Sequence, residues 1–95
     1  MLATPRLDGH AELLHAHALF LQRHDADALP HARAATDALP QRADAWTLLG
    51  VLRQRLGQPL AAEWAYREAI RVKPDYAYAW TNLGNLLREI GRAHV

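Results

Sequence analysis

The chain has no cysteine in its 95 residues, which removes two ways of holding a small protein together, a disulfide framework and a thiolate metal site. Stability must therefore come from packing, and the absence fits a cytoplasmic location. Glycine and proline number only five each, too few for a collagen-like or low-complexity chain. With 51% hydrophobic and 22% charged residues the composition is that of a folding globular domain. No charge of one sign dominates: eleven Lys and Arg against ten Asp and Glu leave a net charge of +1. No nucleic acid and no membrane surface is expected as a partner. No long apolar run exists either. Met1 to His10 include Pro5, Arg6, Asp8 and Gly9, so neither a secretory signal nor a spanning helix is expected. The length allows one small domain, or a piece of a larger protein, with a modest core.

What the chain does have is internal repetition. Ala43-Asp-Ala-Trp46-Thr-Leu-Leu49-Gly50 returns as Ala77-Tyr-Ala-Trp80-Thr-Asn-Leu83-Gly84, an offset of 34 residues. The same offset carries Leu52 to Leu86, Arg55 to Glu89, Leu56 to Ile90, Gly57 to Gly91 and Pro40 to Pro74. Backwards it takes Ala62 and Ala69 to Ala28 and Ala35, and Gly50 to Ala16. The register divides the chain into a degenerate repeat one over 9–42, a repeat two over 43–76 and a half repeat over 77–95.

Each repeat reads as two helices. In repeat two, Trp46, Leu49, Val51, Leu52 and Leu56 recur at helical spacing up to Gly57, a residue free to take the left-handed conformation that ends a helix. Pro59 suits the first turn of the next helix, and Ala62, Ala65, Tyr66, Ala69, Ile70 and Val72 mark its buried stripe until Lys73-Pro74-Asp75. In repeat one the first helix is expected from about Asp8 to Arg23, His24 to Asp27 form the turn, and the second helix ends near Asp37, with Pro30 inside its opening turns. Five helices and no strands are predicted. Small residues at Gly50, Gly84, Ala62 and Ala69 alternate with large ones at Trp46, Leu49 and Tyr66, the pattern of helices that approach closely beside bulky neighbours. One such pair cannot bury both faces, so stacked neighbours must complete the core.

Trp46, Leu49-Gly50, Ala62, Tyr66, Ala69 and Pro74 resemble the tetratricopeptide repeat pattern of 34 residues, with Arg53 the one departure, at a position usually large and apolar. Repeat three keeps Trp80, Leu83-Gly84 and Leu87; repeat one keeps Ala28, Ala35 and Pro40 but has Glu12 and His15 where Trp and Leu are expected. The resemblance implies an all-α fold, a right-handed superhelical array of antiparallel helix pairs. It implies protein or peptide binding in a concave groove lined by the first helix of each pair, with no catalysis and no cofactor. The groove positions carried across are Asp44, Thr47, Leu48, Val51, Gln54 and Arg55 in repeat two, and Tyr78, Thr81, Asn82, Asn85, Arg88 and Glu89 in repeat three. Repeat one offers His10, Leu13, His17, Phe20 and Leu21. Asn82 and Asn85 share a helical face, and an amide can hold an extended peptide backbone as both donor and acceptor. The positions used by family members that grip a chaperone's C-terminal carboxylate read Leu13, His17, Leu48, Tyr78 and Asn82 here; only the Asn has the needed chemistry. Repeat three also resembles the repeats that precede O-linked N-acetylglucosamine transferases. That likeness leaves an alternative open, the substrate-recognition region of a larger glycosyltransferase.

Five of the six histidines fall in the first third, at 10, 15, 17, 24 and 31. Spacings of seven and two put no pair of them on one helix at ligand distance, so no metal site is expected. No catalytic motif is present. Trp64 lies where the repeat pattern asks for no large residue, and either meets a partner or packs on a neighbouring repeat. The last helix carries Trp80, Leu83, Leu86, Leu87 and Ile90 as a stripe patterned for a following helix. Two outcomes are expected for it: the chain is an excerpt of a longer array whose next helix covers the stripe, or the stripe pairs with another copy in a homodimer.

Overall fold

A computed structural model describes residues 8–93. It contains α1 (Gly9–Leu21), α2 (Asp25–Ala38), α3 (Ala43–Arg55), α4 (Pro59–Val72) and α5 (Ala77–Ala93). No strand occurs among the described residues. Helices α1 with α2 and α3 with α4 form hairpins, α2 packs on α3 and α4 on α5, and α3 touches both α1 and α5. Stacking in one direction makes the molecule long and thin, 58 × 27 × 19 Å.

The helix ends follow local chemistry. Asp8 caps α1, its Oδ1 accepting from the Ala11 amide at 2.7 Å, and Pro59 opens α4 where no backbone donor is lost. Gly57 ends α3 in the left-handed region at φ 76°, with the Gln58 amide bonded back to the Arg53 carbonyl at 2.8 Å. Repeat one closes in the same way with a different residue. Arg23, one period before Gly57, sits at φ 61°, and the His24 amide reaches the Leu19 carbonyl at 2.8 Å. A left-handed residue bearing a side chain costs about 1–2 kcal/mol, which the closed hairpin offsets. This tight reversal corrects the expected turn at His24 to Asp27. Helix α2 begins at Asp25, and Asp25 and Asp27 occupy its first turn, where carboxylates face the positive end of the helix dipole.

The tryptophans of repeats two and three occupy matching seats. The Trp46 indole donates to the Pro40 carbonyl at 2.9 Å and the Trp80 indole to the Pro74 carbonyl at 2.6 Å. Around Trp46 the core is closed, with Leu49, Leu52, Ala65 and Ala69 at or below 1% exposure. Tyr66, wholly buried, lies over Gly50 and donates its hydroxyl to Gln54 Oε1 at 2.7 Å; burial pushes that phenol far above its ordinary range. In repeat one the equivalent positions are Ala16 and Ala32, both fully buried. There the glycine and ring are replaced by two methyl groups, so the helices still meet without a void being held open by the ring.

Repeat one differs at its outer face. Glu12, in the Trp46 position, accepts from His31 Nδ1 at 2.6 Å, and His31 lies against His15 with ring centroids 4.0 Å apart. These polar groups stand where repeat two uses Trp46 and Leu49 to meet the preceding hairpin.

Candidate functional site

Because the first helix of each hairpin lies on the same side of the stack, α1, α3 and the start of α5 together line an open groove of about 430 Å³. Helix α1 contributes Leu13, Leu14, His17 and Phe20; α3 contributes Asp44, Thr47, Leu48 and Val51; Tyr78 stands on α5. Leu14 and Tyr78 are each 71% exposed, a large apolar surface to leave in water within a concave face. The Thr47 hydroxyl is spent on its own helix, donating to the Ala43 carbonyl at 2.8 Å.

The charge in the groove is internally paired. Arg42 approaches Asp44 through two parallel bonds, Nε to Oδ1 at 3.0 Å and Nη2 to Oδ2 at 2.6 Å, while its Nη1 meets His10 Nδ1 at 3.0 Å. The hydrogen bond from Arg42 holds the Asp44 carboxyl below the usual carboxylate range, and Asp44 holds the guanidinium above its own. Burial raises the Tyr76 phenol, with the Asp44 charge adding to the effect. The result is an apolar trough with a neutralised ion pair at its edge.

Of the sequence-nominated positions, Leu13, His17, Phe20, Asp44, Thr47, Leu48, Val51 and Tyr78 come together in the groove. The others are placed differently. Arg55 is bonded to Asp25 at 3.0 Å and lies 4.5 Å above the Phe20 ring. Gln54 links α4 to α5, accepting from Tyr66 and donating to Glu89 Oε2 at 2.9 Å. Asn82, Asn85 and Arg88 lie farther along α5, with Arg88 bonded to Asn85; none of the three borders the trough. Sequence reasoning missed Leu14, Arg42 and Tyr76. The repeat register held the signal for all three: Leu14 is one period before the nominated Leu48, and Arg42 and Tyr76 are one period apart, each immediately preceding a first helix.

The stripe on α5 divides. Leu83 and Leu86, expected within the uncovered face, are 3% and 1% exposed and pack with Ala62 and Tyr66, while Ile90 is partly buried beside them. Their spacing points them back at α4. Trp80 and Leu87 remain 52% and 41% exposed, and a Cβ placed on Gly84 between them would find no atom within 4 Å.

Among the described residues, no group of three or more His, Asp or Glu is arranged to hold a metal ion. No helix among them is long and apolar enough to cross a membrane.

A family model described as tetratricopeptide repeat matches residues 65–94. Tetratricopeptide repeat protein 37 of Xenopus laevis is 39% identical over 49 residues, 52% of this chain and 3% of that protein. Superkiller complex protein 3 of Homo sapiens is 35% identical over 60 residues, 63% of this chain and 4% of that protein; its Mus musculus counterpart is 28% identical over 68 residues, 72% and 4%. The chain thus spans only 3–4% of the length of these curated relatives. The 34-residue register, the paired indole seats on Pro40 and Pro74, the all-helical stack and these likenesses agree on a helical repeat array similar to the tetratricopeptide repeat family, whose model matches residues 65–94.

Proposed function

We propose that the protein is a non-catalytic scaffold that takes a protein or peptide segment in the groove of α1, α3 and α5. The observation that carries this reading is the exposure of Leu14 and Tyr78 on a concave face whose close ion pair, Arg42 with Asp44, is already satisfied. Such a surface rewards apolar side chains of an extended or helical segment and asks little of its charge. Selection of binders from a random peptide library on the intact chain tests it. Peptides so obtained should lose about tenfold or more in affinity, a typical anchor contribution, against Leu14→Glu or Tyr78→Ala. They should bind Leu60→Ala unchanged, since Leu60 is 76% exposed but lies on α4 outside the groove. Equal binding to all three variants would reject the groove. The Asn82→Ala, Asn85→Ala double variant should weaken only peptides long enough to run along α5.

A second reading rests on the uncovered outer face of α5. Trp80 and Leu87 flank Gly84 at nearly equal distances along the helix. Two copies of α5 crossing antiparallel at Gly84 would therefore bring each Trp80 to the other copy's Leu87, the self-complementary arrangement a twofold dimer requires. Sedimentation equilibrium should show self-association at high micromolar concentration, weakened by Leu87→Asp. A wild-type chain that stays monomeric there would remove this reading.

A further inference from the structure

Repeat two departs from its pattern twice on its outer side. Arg53 stands where its equivalents one period away are Leu19 and Leu87, and Trp64 stands where the repeat asks for no large residue. The fold brings these two together. The Arg53 guanidinium lies 5.9 Å from the centre of the Trp64 ring, and Trp64 meets Trp46 edge-on at 5.3 Å. Both residues border a cleft of about 150 Å³ on the side opposite the groove, and Arg33 and Asp37 of α2 close its far wall. The floor is apolar, formed by Trp46 and Leu49.

The cleft carries an uncompensated positive charge. Neither Arg33 nor Arg53 has a carboxylate within salt-bridge distance among the described residues, although the arginines of α4, Arg67 and Arg71, are each paired to a glutamate. Arg53 spends one nitrogen on the Ala61 carbonyl at 3.3 Å. Its guanidinium is held below its ordinary range by burial and by the like charge of Arg33. Two guanidinium forks and one carboxylate, Asp37, leave the lining one positive charge in excess.

We propose that this cleft between α2, α3 and α4 is a second binding site, which takes one glutamate or aspartate side chain of an acidic peptide between Arg33 and Arg53, with an adjacent apolar residue against Trp64. A fork-shaped cation matches a carboxylate in geometry as well as charge, and the half-exposed indole supplies the kind of contact that anchors a neighbouring side chain. Size sets the class of ligand. The cleft is below the roughly 300–1,000 Å³ of small-molecule and cofactor sites, so it fits a side chain rather than a cofactor. Charge selects carboxylate over phosphate: one negative charge balances the excess, whereas a phosphoryl group near two charges would repel Asp37. None of these residues lines the concave groove, so the two sites stand or fall separately.

Titration of the full chain with acetyl-Leu-Glu-Leu-amide, read by the indole N–H resonances in nitrogen–proton correlation spectra, tests the site. The Trp64 signal should move and saturate with the Glu peptide, and the Gln analogue should bind at least about fivefold more weakly, the scale of one partly exposed charge-assisted contact. Arg53→Gln and, separately, the surface change Arg33→Gln should each weaken binding by a similar factor, while Arg71→Gln should leave it intact. Because Arg33 is exposed, its variant keeps the fold even if Arg53→Gln does not. Equal shifts from the Glu and Gln peptides, no saturable shift from either, or tighter binding of inorganic phosphate than of the Glu peptide would overturn the proposal.

Discussion

Gly50→Ala should lower the stability of the protein by about 2 kcal/mol, and Gly84→Ala should raise it by about 1 kcal/mol. The two glycines are one period apart in near-identical sequence, yet their surroundings differ. A Cβ on Gly50 would lie 2.5 Å from Tyr66 Cε1 and 2.6 Å from Cδ1. The ring cannot swing aside, because it is fully buried and its hydroxyl is tied to Gln54. Overpacking therefore outweighs the helix-propensity gain of about 1 kcal/mol that alanine brings. At Gly84 nothing opposes that gain, since no atom stands within 4 Å of the added carbon. Urea denaturation at low protein concentration, followed by far-ultraviolet circular dichroism, checks both. Shifts of the two midpoints in the same direction would mean that the α3–α4 contact is not as close as described.

The tryptophans should separate just as widely. Trp46→Ala removes an indole that is 8% exposed and strands the Pro40 carbonyl it serves; a loss of about 3–5 kcal/mol is expected. Against a total stability of about 5–15 kcal/mol for a domain, that variant sits near the edge of folding. Trp80→Ala makes the same chemical change at the same register. Its indole is 52% exposed, however, and its bond to the Pro74 carbonyl is open to water, so a loss of about 1 kcal/mol is expected. Comparing the two denaturation midpoints in one experiment distinguishes a closed seat from an open one. If Trp80→Ala proved as costly as Trp46→Ala at low concentration, half-exposure would be the wrong description of α5.

Several features were legible because they are set by residues near one another along the chain. The left-handed end of α3 at Gly57, the opening of α4 at Pro59 and the apolar periodicity of every helix depend on local conformational preference. Arg23 was not legible as a left-handed residue, because arginine avoids that region and only the closing of α1 onto α2 holds it there. The meeting of Glu12, His15 and His31 joins two helices. Spacing within one helix is silent about it. The same holds for Arg55 and Glu89, nominated for the groove by the family resemblance but engaged by Asp25 and Gln54 from neighbouring helices.

From the residues alone came the 34-residue period, the five helices and the small and large positions that nest them, since each follows from periodicity along a helix, while most of the side chains that line the groove were named through the family resemblance those residues carry. The tertiary structure alone decided which of two equivalent seats is covered, why Gly50 is crowded and Gly84 open, and how Arg33, Arg53 and Trp64 come to share a cleft. The physical reason is that burial and charge balance are properties of what lies across the gap between helices, and residues distant in sequence supply it.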